Sequence, residues 1–267
     1  MHSIYSYWHF DPVSILFITM LCLFYLYAIR FKIRKQSLFF FAGISIIIIC
    51  VASPLHFLGE NYLFSAHMIS HVLLLLIAAP LLVAGIPQEN VFRKYFLFLS
   101  THKIKIHVLC WFTGVGIMWF WHIPYIFNMA ASARSMGLMH AQWLSLLVAG
   151  IIFCWPILNP YRQYRIPSLS AVLYLSLACV FCTLLGLMIT FAPLGMYMPY
   201  LHISDSNGFL NIIRNQWKIS ASIDQQAAGL IMWVPCCLIY LTASMAILVK
   251  WYDQKPYEVR DAIMIKN

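Results

Sequence analysis

The stretch FSAHMISHVLLLLIAAP, residues 64–80, sets His67 and His71 four positions apart at the mouth of a long apolar run. On a helix, that spacing puts both rings on one face. Other apolar runs carry a histidine or a carboxylate at one edge. WFWHIP brings His122, LMHAQW brings His140, and DQQAAGLIMW brings Asp224 and Gln225. His56 and Glu60 lie just before His67, and YWHFDP supplies His9 and Asp11. Neutral imidazole is the commonest metal ligand and suits copper, zinc and iron. Two imidazoles on one helix can share an ion, with His122 and His140 on other helices completing the set. Asp224 would ligate or fix a histidine tautomer from behind. Met68, Met139 and Met232 lie close by in sequence, and thioethers suit Cu(I). The plain alternative for any single histidine is an interfacial residue, like the tryptophans of an aromatic belt. His2, His9, His56 and His202 are read that way.

The elements that must position these residues are membrane helices. Hydrophobic residues make up 63% of the 267 and charged ones 9%, against roughly 25% charged in a soluble domain. Mean hydropathy is +0.81. Apolar runs of about 20 residues recur along the chain, each long enough for a hydrocarbon core of about 30 Å. The chain therefore reads as a single all-α, polytopic membrane domain over residues 1–267. Seven transmembrane helices are predicted, at 13–30, 37–55, 64–86, 106–123, 138–158, 168–191 and 226–249. The first is read as retained, with no cleavage-like site after it.

Lys and Arg orient the bundle. The loops after spans one, three and five, with the C-terminal tail, hold 14 of them; the other side holds Arg134, Arg214 and Lys218. The basic side is the cytoplasm, so the N-terminus lies outside and the C-terminus inside. This accounts for the net charge of +9; the cations are scattered over short loops, and nucleic acid is not an expected partner. His67, His71, His122, His140 and Asp224 then fall in one outer layer, with His71 roughly 10 Å below the start of its span. On the inner side only His102 and His107 are found. Ionisable groups inside a membrane are costly and usually mark a site.

Other features carry less. All eight cysteines lie inside predicted spans, so no outer-loop disulfide framework is implied. Cys179-Val-Phe-Cys182 and Cys236-Cys237 sit near mid-membrane, where cysteine is usually a small hydrophobe. Met196 and Met198 in the long outer loop offer a copper-handling pair and read first as an interfacial contact. Pro80, Pro156 and Pro235 are expected to kink their helices. VFRKYFLFL, 91–99, reads as an inner interfacial helix, and Gln225, Gln226 and Trp233 as inter-helix hydrogen-bonding residues. CxxCH, a Walker motif, a dinucleotide fingerprint and a nucleophile elbow are all missing.

The stretch SPLHFLGENYLFSAHMISHVLLLLIAAPLLVAGIP, 53–87, resembles the polytopic CtaG-like family of cytochrome c oxidase assembly factors, the Bacillus type. WFWHIPYIF, the isolated His140, Trp155-Pro156 and DQQAAGLIMWVP are similar to that family in the same order. The family often has Gln before the second histidine; here Ser70 stands there, which implies that residue 70 is not an essential ligand. The resemblance implies a multi-pass plasma-membrane protein, not an enzyme, that helps make active caa-type haem-copper oxidase. Its partners would be oxidase subunits within the lipid bilayer, and copper its expected cargo. Two other functions fit the residues. A b-type haem protein would use facing histidines such as His71 and His140 as axial ligands. A copper or proton permease would need polar groups through the full depth, and below the outer layer few are found.

Overall fold

In lipid the backbone must satisfy its own polar groups, which leaves uninterrupted apolar runs only the helix. The computed structural model describes residues 6–87, 103–133, 136–203, 205 and 208–264. Every regular element among the described residues is helical. The 91–99 stretch, His2, His102, Arg93, Lys94 and Arg134 lie outside the described residues.

Helix α1 (Pro12–Ala28) starts on Asp11, whose carboxylate accepts from the N–H groups of Val13 and Ser14 at 3.0 and 2.9 Å. Pro12 at the first position costs nothing there, because that N–H has no helical partner. Helix α2 (Lys35–Ala52) stops at Ser53, whose extended backbone and hydroxyl cap the short α3 (Pro54–Asn61). Helix α4 (Phe64–Ala84) follows after two residues. Its turn at Leu74–Ala78 widens to a π-helix just before Pro80. The ring of a mid-helix proline clashes with the carbonyl four residues back, and a π turn absorbs the clash. Helix α5 (Lys103–His122) breaks at Ile123, and α6 (Pro124–Ala133) leaves it at 67°. Then come α7 (Met136–Leu158), α8 (Ser168–Phe191) and α9 (Ala221–Met264).

Five of these helices, α2, α4, α7, α8 and α9, are long and apolar enough to cross a membrane, and the bent pair α5–α6 makes six. The expected seven is not reached on length alone, because α1 has 17 residues. The 106–123 span turns sideways at Pro124 instead of ending, and the 226–249 span is part of a much longer helix. The expected outside position of the N-terminus has no counterpart in the helix geometry. Large apolar side chains such as Leu16, Phe24, Phe112, Leu173 and Leu238 cover the outer faces. A multi-pass membrane protein requires that surface; a soluble one would not tolerate it.

Helix α4 is the hub. Buried residues make up 67% of its apolar window, against 44% or less in the other four long spans. It contributes to a core with α5, α7, α8 and α9 on one side, and to another with α1, α2 and α7. Helices α8 and α9 are the most extensively packed pair. A Cβ on Gly229 would land on the Thr190 hydroxyl and 2.6 Å from the Gly186 carbonyl. Only glycine lets the two backbones approach that closely, the usual device of membrane helix pairs.

Candidate metal centre

Helix α4 carries His67 and His71 with ring centroids 4.3 Å apart, and His122, the last residue of α5, brings its ring within 5.4 Å of His71. All three are buried, at 8, 3 and 0% exposure. The Nδ1 of His122 lies 2.6 Å from the Met118 carbonyl. A carbonyl only accepts, so Nδ1 carries the proton, and a neutral ring presents a bare Nε2. That Nε2 faces the Met68 Sδ at 3.2 Å, and neither atom of the pair has a proton to offer. His67 Nε2 and His71 Nδ1 are buried with no hydrogen-bond partner. An unsatisfied buried polar atom costs about 1–3 kcal/mol, so two on adjacent turns of one helix call for a purpose.

The cluster opens outward past Glu60, whose Oε1 lies 3.6 Å from His67 Nδ1. This is an ion-pair distance, too long for a hydrogen bond. Burial pushes the Glu60 carboxyl up, but His67 and then His56 beside it outweigh that and hold it below its ordinary value. Burial lowers the affinity of His56 for a proton, against the attraction of Glu60. A small pocket runs in between, lined by Glu60, Asn61, His67, Met139, Gln142 and Tyr200 among others. Phe127 and Tyr200 flank His67 at ring distances of 5.6 and 6.2 Å, forming an aromatic roof.

Two residues expected in the site are engaged elsewhere. His140 Nε2 lies 2.9 Å from Asp11 Oδ1, tying α7 to the start of α1. Helical phase decides this: Met139 and Gln142 share the face that lines the pocket, and His140 points round to α1. Burial raises the Asp11 carboxyl, but the Ser14 hydrogen bonds and the His140 ring outweigh it, holding its pKa at about 2. Asp224, 1% exposed, caps α4. Its Oδ2 accepts from Phe64 N–H at 2.8 Å, and its Oδ1 from Ser65 N–H and Oγ–H at 3.0 and 2.6 Å. Leu63, at the N-cap position of α4, makes no side-chain cap; the cap comes from α9.

The neighbouring Gln225 donates to the carbonyls of Ile189 and Ala192 at the end of α8, at 3.2 and 2.7 Å. The DQQ motif thus closes one helix start and one helix end. The segment after α8 fastens the rest. Tyr197 donates to the His122 carbonyl at 3.1 Å, and Tyr200 to the Gly59 carbonyl at 2.5 Å. Gly59 lies so close to α4 that a Cβ there would meet the His67 backbone nitrogen at 2.9 Å.

The structure therefore gathers His67, His71, His122 and Met68, with Glu60 at the mouth, and leaves His140 and Asp224 out. Among the described residues, no three His, Cys, Asp or Glu side chains converge closely enough to hold a metal unaided. What the cluster offers is three buried imidazoles and a thioether. Met68 and Glu60 were visible in the sequence, Met68 as the residue after His67 and Glu60 as a carboxylate two turns before it. Their convergence on His122 and His67 was not.

Comparison with curated proteins yields no match, and comparison with solved structures yields none either. The family model for the cytochrome c oxidase caa3 assembly factor matches residues 22–254, a stretch that includes every residue of the cluster. This chain belongs to the caa3 cytochrome c oxidase assembly factor family.

Proposed function

We propose that the chain serves oxidase assembly by holding a copper ion on the outer side of the plasma membrane and passing it to an oxidase subunit, without catalysis of its own. Seven spans are proposed with it, α1 crossing as the first and the N-terminus outside. The observation that carries the reading is the row His67–His71–His122 with Met68, in which two buried ring nitrogens lack partners and a third faces sulfur. Imidazole with thioether, enclosed by aromatic rings, suits Cu(I) better than a hard divalent ion. Glu60 at the mouth would attract the cation and leave it to the softer donors within. His140 and Asp224 support the arrangement through Asp11 and the α4 cap.

The test is metal and haem content of the purified protein in detergent, by elemental analysis and absorbance, for wild type and His71→Ala. Histidine-bound copper near one per chain, identified by X-ray absorption and lost in the variant, is the expected result. Wild-type protein that reconstitutes without histidine-bound copper under reducing conditions overturns the reading. A Soret band would replace it with the haem alternative.

A further inference from the structure

Beyond the imidazoles the interior of the bundle turns to sulfur. One to two turns further along α4, a small pocket opens among α4, α5, α7, α8 and α9. Met118, Met232, Cys182, Cys236 and Tyr240 line it, with apolar side chains around them. Cys182 and Cys236 come from facing helices and are 1 and 2% exposed. Cys182, Cys236 and Tyr240 line that one pocket together. Met232 is fully buried and stands four residues before Cys236, so its thioether shares a face with that thiol. Cys179 and Cys237 form a second rung, sulfurs 3.0 Å apart, with Thr183 Oγ1 3.2 Å from Cys237. That rung is partly exposed and does not line the pocket.

We propose that Cys182, Cys236 and Met232 form a second metal site, inside the bundle, for a soft monovalent cation of the Cu(I) class. Thiol and thioether sulfurs select such ions, and the lining offers no carboxylate. Zinc needs about four ligands, whereas two thiols and a thioether suffice for a low-coordinate d10 monocation. The apolar surroundings fix the charge. One thiolate with one monocation is neutral; two thiolates would leave a net negative charge in a medium where an unpaired charge is costly. One thiol therefore loses its proton, a sulfur–metal bond forms, and the second thiol and Met232 donate as neutral ligands. Each bound ion releases one proton, and nothing is oxidised or reduced. Met118 joins the two regions, since its side chain lines this pocket and its carbonyl holds His122. The sulfur site stands on its own residues and does not depend on the histidine reading.

The full-length protein, purified reduced in detergent, is titrated with Ag(I) and with Cu(I) against a chromophoric chelator. The ligand shell is read by X-ray absorption, and proton release in weak buffer. We expect one ion in an all-sulfur shell, with one proton released. It survives in His67→Ala/His71→Ala/His122→Ala and in Cys179→Ala/Cys237→Ala, and is lost in Cys182→Ala/Cys236→Ala. Met232→Leu, which keeps the volume, weakens it at least tenfold and decides the matter if the double variant misfolds. The proposal is overturned if the sulfur-bound ion survives in Cys182→Ala/Cys236→Ala, follows the other rung, or disappears with the histidines. Unchanged affinity in Met232→Leu also overturns it. A histidine site that fails leaves the sulfur signal standing, so the two failures are distinguishable.

Discussion

Asp224 distinguishes a metal ligand from a structural cap. Its carboxylate accepts three hydrogen bonds at the start of α4. Asp224→Ala removes them all. Phe64 is 1% exposed, so its N–H is left buried and unpaired, at about 1–3 kcal/mol. Ser65 is only partly buried and regains water. Losing the negative charge at a buried helix start costs a further ~1–2 kcal/mol. Relief from burying that charge offsets part of this, leaving a loss of about 3 kcal/mol. Asp224→Asn keeps one acceptor oxygen but turns its amide N–H2 toward a backbone N–H, and about half that loss is expected. For a chain of this size, ~3 kcal/mol lowers Tm by about 6–12 °C. The assay is thermal unfolding of metal-free protein in detergent, followed by circular dichroism, with copper content measured separately on the folded fraction. We expect a falling Tm in the order wild type, Asn, Ala, with copper per folded chain unchanged. An unchanged metal-free Tm in Asp224→Ala, together with lost copper, would refute the capping argument.

Four further outcomes follow from the geometry. Asp11→Ala removes the α1 cap and the partner of His140, costing about 1–2 kcal/mol in the same unfolding assay. The Asp11 carboxyl is held at about 2 against an ordinary 3.8, so its contribution is complete above the ordinary value and lost as pH falls toward the lower one; acid unfolding of Asp11→Asn should lack that part of the slope. Met68→Leu conserves volume and should leave Tm within a few degrees while Cu(I) affinity, from chelator competition, falls about tenfold, or ~1.4 kcal/mol; equal affinity would remove the thioether from the site. Gly229→Ala places a methyl against Thr190 and the Gly186 carbonyl and should cost about 1–3 kcal/mol by overpacking, read as a lower Tm without change in metal per folded chain.

The amino-acid sequence alone determined that this is a helical membrane chain, roughly where its apolar helices run, and that His67 and His71 share a face. Those properties are local. Apolar run length sets the span, and the 3.6-residue period sets the face. The breaks were not read from the sequence: the expected 37–55 span ran through Ser53-Pro54, where α3 begins, and the 106–123 span was given no continuation into the helix that begins at Pro124. Only the tertiary structure decided which polar residues meet. His140 and Gln142 differ by two positions, and helical phase together with the placement of α1 sends one to Asp11 and the other to the pocket. Asp224 looked like a ligand because a carboxylate at that depth needs a partner. Its partner proved to be the backbone of another helix, and no local signal in α4 could announce it. The same holds for the sulfurs of α8 and α9: their spacing along each helix is in the sequence, but their meeting depends on two glycines letting the helices close. Side-chain direction follows from the chain itself; which side chains converge depends on how the helices rotate and cross, which is set by packing summed over the whole bundle.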